Sequence, residues 1–160
     1  NTQSIILHAA AVLSSQGGLL FLGHSGSGKT TLSKMLSNQF KIIRDDRVCL
    51  NKCKDGIWFI SGNNSETTEL IPLLAVIRIF GAQHSEIEPI SPLKTCEYLI
   101  DSAFEIDLQR QSRIIESDKM LFRHTAHIAK QYPGFKFSFT LNKDDTIEQF
   151  SKLTHLLIVN

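Results

Sequence analysis

Apolar positions fall in short blocks along this chain, and the blocks predict strands alternating with helices. S-I-I-L-H-A-A-A-V-L at 4–13 is mostly apolar, S-S-Q-G-G follows, and L-L-F-L forms a second apolar block at 19–22. Two strands around a short glycine-bearing turn predict a β-hairpin. Centring the turn between Ser15 and Gln16 makes paired residue numbers sum to about 31, which sets His8 across from Gly23 or its neighbour. A slip of one residue would turn His8 to the other face, where a core or capped histidine is the alternative. Leu32, Met35 and Leu36, at i, i+3 and i+4, predict a helix over 29–38. The strand predicted at 40–44 would then lie parallel to the one at 18–23, joined by a crossover helix.

Strands at 48–50 and 57–60 flank a turn containing Asp55-Gly56 and predict a second hairpin. The polar stretch 62–70 reads as a surface loop, a candidate lid or substrate edge. Pro72 introduces an apolar strand running to Phe80, and 86–90 reads as another. Ser91-Pro92 opens a helix whose apolar side includes Tyr98, Leu99 and Phe104. Between 107 and 131 apolar residues recur at 114/115, 121/122 and 128/129, a helical stripe that Pro133-Gly134 ends. Its charges, Arg110, Arg113, Glu116, Lys119 and Arg123, read as a solvated face, with an arginine reaching a bound phosphate as the alternative. Phe135, Phe137 and Phe139 alternate with polar residues as a half-buried strand. The pattern closes with a helix over 145–155 and a short strand over 156–159.

The chemistry concentrates in one stretch. Residues 23–30 read G-H-S-G-S-G-K-T, a full match to the phosphate-binding P-loop, or Walker A, pattern G-x-x-x-x-G-K-[ST]. Gly23, Gly26 and Gly28 allow a tight turn in which backbone N–H groups, including those of Ser25, Ser27 and Thr31, surround an anion. Lys29 brings a compact positive charge to the β- and γ-phosphates, and the Thr30 hydroxyl suits Mg²⁺. The strand before the loop and the helix after it supply the context this motif needs. Asp45-Asp46, at the end of the strand predicted at 40–44, would reach the same sheet edge. Adjacent strand residues face opposite ways, so both aspartates serve such a site only if the strand ends or bulges there.

Composition changes this picture little. With 160 residues the chain reads as a single domain, large enough to bury roughly 70% of its unfolded surface. It is 42% apolar and 21% charged, with a net charge of +1. That composition argues against disorder, and the charge against a nucleic acid or an anionic membrane surface as partner. No apolar run is long enough to span a bilayer and no signal-peptide pattern opens the sequence. The first residue is Asn rather than Met, which leaves room for an upstream segment. Cys49, Cys53 and Cys96 read as reduced thiols of a cytoplasmic protein, and neither they nor His124 and His127 have the further ligands a metal site needs. Self-association into a homo-oligomer is left open.

Taken together, His8, the 23–30 loop and D-D-R-V at 45–48 resemble the kinase domain of bacterial HPr kinase/phosphorylase. His8 precedes the first loop glycine by fifteen residues, and Asp45 follows Thr30 by the same interval. These features cover residues 5–50; the remainder resembles, more weakly, small kinase-like ATP-binding proteins related to that family. The resemblance implies an α/β fold of the HPr kinase and phosphoenolpyruvate carboxykinase type, a P-loop in a mixed β-sheet with an N-terminal hairpin and flanking helices. It also implies ATP and Mg²⁺ as cofactors and transfer of the γ-phosphate to a Ser/Thr hydroxyl of a protein or peptide. Within that frame Asp45 is the general base, Asp46 holds or orients Mg²⁺, and His8 supports the two aspartates. The family's glycine-rich signature downstream of the aspartates has no counterpart, since 62–70 is rich in Asn, Ser and Thr. A small-molecule kinase and a nucleotide-binding regulatory or assembly module are the alternatives. A mixed sheet with antiparallel neighbours favours the protein kinase reading, and an all-parallel sheet the small-molecule one.

Overall fold

A computed structural model describes residues 3–61, 69–108 and 115–159. Strands β1 (Gln3–Leu13) and β2 (Gly18–Leu22) form the N-terminal hairpin. Its register runs from Ala9 opposite Leu22 to Leu13 opposite Gly18, which are the pairs expected from a turn centred after Ser15. Helix α1 (Lys29–Leu36) leads to β3 (Lys41–Arg44) and β4 (Arg47–Lys52), followed by β5 (Trp58–Ser61) and the long β6 (Leu70–Gly81). Then come β7 (Glu86–Ile90), α2 (Pro92–Leu108), α3 (Ile115–Gln131), β8 (Gly134–Phe139) and α4 (Lys143–Val159).

The sheet is mixed. β1 pairs antiparallel with β2 along its second half, while its other edge takes β4 and then β3, also antiparallel. β3 therefore runs in the same direction as β2, as the crossover argument requires, but it does not lie beside it. The hairpin strand β1 occupies the position between them. β2 pairs parallel with β6, β6 parallel with β8, and β7 closes that edge antiparallel to β8. β4, β5 and the start of β6 continue the sheet antiparallel from the first half of β1.

Both faces are covered, which is why the central strands read as continuous apolar blocks rather than strict alternation. On one face Leu32 and Leu36 of α1 and Phe150 and Leu153 of α4 pack with Phe21, Ile77 and Phe137. Phe150 meets Phe21 and Phe40 edge-on, with ring centroids 5.6 and 5.0 Å apart. On the other face Leu99 and Ala103 of α2 and Ile128 and Ala129 of α3 cover Leu7, Leu20, Leu22, Trp58 and Val76.

Two expectations differ from this architecture. The stripe over 107–131 is divided: Asp107 and Leu108 end α2, α3 starts at Ile115, and Arg110 and Arg113 lie outside the described residues. The strand expected at 156–159 is instead the last turn of α4. Phe150 and Leu153 are fully buried and Leu157 packs against the same cluster, so the i, i+3, i+7 spacing keeps the helix docked to its end. A β-rich composition at the end of a helix does not outweigh that anchorage. Most of the polar stretch over 62–70 also lies outside the described residues.

Candidate functional site

β2 ends at Leu22 and α1 begins at Lys29, so the glycine-rich stretch connects strand to helix directly. Gly26 and Gly28 have φ values of 79° and 96°, a region that disfavours any side chain. At Gly28 space imposes the same choice, because a Cβ there would lie 2.7 Å from Phe139 Cζ. Gly28 is the N-cap of α1, makes no side-chain capping bond, and no acidic residue occupies the first turn. The first helical N–H groups and the positive end of the helix dipole are thus left for an anion.

Lys29 is 6% exposed, and its Nζ donates to the carbonyls of Gly23 at 2.6 Å and His24 at 3.1 Å. Burial pulls its pKa below the usual lysine value, opposed by the negative charge of Glu105. An ammonium held this way gains most from a phosphate, which restores the charge neutralisation that burial removed.

Between β3 and β4 the strand breaks at Asp45 and Asp46. Asp46 takes a positive φ of 85°, and its carbonyl still accepts the Ala9 N–H at 3.1 Å. The break lets both carboxylates serve one site. Thr30 Oγ1 donates to Asp45 Oδ1 at 3.0 Å. Asp46 Oδ1 lies 3.3 Å from Nδ1 of His8, whose ring is otherwise buried. A cleft of about 280 Å³ is lined by His8, Asp45 and Asp46 together with Ser25, Gly26, Gly28, Lys29, Thr30 and Thr31. Gly23 and Ser27 stand behind this lining. The Gly23 carbonyl holds Lys29, and the Ser27 N–H closes the loop onto the His24 carbonyl at 2.9 Å.

Hard oxygen donors at the cleft wall suit a small divalent cation that also keeps phosphate oxygens and water. The Thr30 hydroxyl and the Asp45 carboxylate already meet there, with Asp46 largely exposed beside them. Sequence reasoning missed two residues. Glu105 of α2 lies with Oε2 3.5 Å from Nε2 of His8 and with Oε1 2.8 Å from Nδ1 of His24. His24 occupies a variable position of the loop pattern, and Glu105 is one glutamate on an ordinary amphipathic helix. Only the docking of α2 onto β1 brings them together.

The sequence matches no protein-family model and no curated protein. Among solved structures the chain is similar to the HPr(Ser) kinase/phosphatase from Coxiella burnetii, with 15% sequence identity. The match covers 53% of this chain and 72% of that one at a TM-score of 0.38, a weak and distant likeness. Among the described residues no helix is long and apolar enough to cross a membrane.

Proposed function

We propose that this chain transfers the γ-phosphate of ATP to a Ser/Thr hydroxyl of a protein or peptide, as an HPr kinase-like P-loop enzyme in a mixed sheet. The observation that carries this reading is the convergence of Lys29 and Thr30 with two carboxylates and a buried imidazole on one cleft. A nucleotide holder needs the loop; it has no use for an aspartate and histidine pair beside it. The antiparallel β1 next to β2 also favours this reading over an all-parallel small-molecule kinase.

The loop N–H groups and Lys29 hold the β- and γ-phosphates. The Thr30 hydroxyl and an aspartate would hold Mg²⁺, which would supply charge neutralisation to the phosphoryl oxygens. The acceptor oxygen forms a bond to the γ-phosphorus while the bond to the β,γ-bridging oxygen breaks, and ADP leaves. The hydroxyl proton passes to an aspartate of the cleft. The division of labour follows the company each carboxylate keeps. Asp45 shares a hydrogen bond with Thr30 and so takes the metal side, while Asp46 faces His8 and takes the acceptor side. This exchanges the roles that the family resemblance implies for the two residues.

The test is incubation with γ-labelled ATP and Ser/Thr peptides or cell extract. Label should appear on an acceptor with the wild-type chain and disappear with Lys29→Ala and with Asp46→Asn, while Asp46→Asn still binds ATP. Nucleotide binding without any labelled acceptor would leave only the regulatory-module reading.

A further inference from the structure

We infer that Glu105 is a positioning residue of this cleft: one carboxylate oxygen orients the His8 ring toward Asp46, and the other anchors the phosphate loop through His24. The inference rests on the proposed phosphoryl transfer for its purpose but not for its geometry. α2 docks on the sheet through buried Leu99, Ser102, Ala103 and Ile106. Ser102 Oγ donates to the His8 carbonyl at 2.8 Å, which fixes the height of the helix against β1. Glu105 follows three residues later on the same face and meets the His8 side chain. The helix thus holds His8 at both its carbonyl and its ring.

The ring contacts are informative because they are incomplete. Both His8 nitrogens and Glu105 Oε2 are buried without a hydrogen-bond partner, and the distances of 3.3 and 3.5 Å exceed those of full hydrogen bonds. An orphaned buried polar group is costly, and at His8 each nitrogen lies within 3.5 Å of a carboxylate oxygen that a small shift would pair with it. Catalytic hydrogen bonds are often slightly long before substrate is bound and tighten with it. A neutral imidazole has one N–H, and the partner that accepts it decides the tautomer. Glu105 beside Nε2 and Asp46 beside Nδ1 hold the ring between two carboxylates, which aims its Nδ1 edge at Asp46. With Glu105 removed, the ring loses its carboxylate neighbour at Nε2. The second oxygen accepts from His24 at 2.8 Å and ties an otherwise exposed loop residue to the same helix.

The experiment is nitrogen NMR of ring-labelled histidines in the nucleotide-free chain, alongside phosphoryl-transfer kinetics. In the wild type the two ring nitrogens of His8 should give one defined pair of signals, as expected of a ring held in one orientation. Glu105→Ala should shift the ring signals of both His8 and His24 and lower kcat about 10- to 100-fold, the usual cost of losing a group that orients a functional one. KM for ATP should change far less. Glu105→Gln keeps one acceptor oxygen, so it should restore one ring and not both, with intermediate kcat. Unchanged signals from both rings in Glu105→Gln would overturn the inference, and that variant decides the matter alone if the alanine variant does not fold. Ring signals that respond in a chain that transfers no phosphate would uphold the positioning role and refute the proposed function instead.

Discussion

His8 and His124 are equally buried, at 7% exposure each, yet their surroundings share almost nothing. His8 stands at the cleft between the carboxylates of Asp46 and Glu105. His124 stands edge-on to the fully buried Trp58 ring at 5.3 Å, beside His127 and Lys52. Burial pushes the His124 pKa below the usual histidine value, and the charge of Lys52, with the proximity of His127, pushes the same way. His127 accepts the indole N–H of Trp58 at Nδ1, 3.0 Å away, and the Tyr132 hydroxyl accepts the Trp58 backbone N–H at 2.9 Å. One corner gathers anions and leaves polar atoms waiting for partners. The other gathers rings beside Lys52, fastens a tryptophan through His127 and Tyr132, and buries one unpaired atom of its own, Nε2 of His124. Burial alone therefore says little about a histidine; the charges of its neighbours separate chemistry from architecture.

The strongest way to break this contrast is to damage each corner and read both activity and stability. Lys29→Met should abolish phosphoryl transfer, a loss of about 1,000-fold or more given that transfer relies on electrostatic stabilisation. The same variant should shift Tm by only a few degrees, because the charge it removes was held against its own desolvation. Trp58→Ala should do the reverse. Deleting a fully buried indole costs about 3–5 kcal/mol of stability, while kcat measured well below the new Tm should stay close to wild type. A large loss of kcat at low temperature in Trp58→Ala would show that the two corners are coupled and that the division drawn above is wrong.

Much of the glycine-loop half of the cleft was legible from local pattern. The hairpin register follows from turn chemistry and the glycine spacing, and it places His8 beside the loop because strand pairing is a counting rule. The alternation at Phe135, Phe137 and Phe139 is local in the same sense. What escaped was tertiary. The end of the strand before Asp45 and Asp46 was legible, but not that β4 and β3 share the second edge of β1, which depends on partners far apart in sequence. Glu105 has no local mark at all, since its meaning lies in how α2 docks. The last turn of α4 was misread for a related reason: Leu156, Leu157, Ile158 and Val159 favour a strand by composition, and the packing of Leu157 on the Phe150 cluster outweighs that preference.

A smaller effect sharpens the contrast from within the loop. Gly28→Ala forces a Cβ into a positive-φ position 2.7 Å from Phe139 Cζ. The backbone term alone costs about 1–3 kcal/mol, and relief requires Gly28 to move away from the position that leaves the first α1 N–H groups open to the cleft. Stability should fall modestly and ATP affinity should fall with it, both measurable by thermal melts with and without nucleotide. A variant that loses stability but keeps full ATP affinity would mean that the loop geometry at Gly28 serves packing rather than the anion.

The smallest expected effect is a slope with pH, and it isolates the aromatic corner. In the unfolded chain His124 titrates near the ordinary value of about 6.5, and in the folded chain its pKa is lower because burial opposes the charge. Between those two values the unfolded state binds more protons, so stability rises with pH through that window. Read downward, the contribution of a neutral His124 is present above about pH 6.5 and is lost as pH falls through the folded-state value. His124→Phe keeps a ring against Trp58, removes the titrating group, and removes a buried nitrogen that has no hydrogen-bond partner. It should match or exceed wild-type stability at neutral pH and show a flatter decline in acid, measured by denaturant midpoints across pH 5–8. An unchanged acid slope in His124→Phe would assign the titration elsewhere, with His127, pushed in the same direction by burial and Lys52, as the next residue to replace.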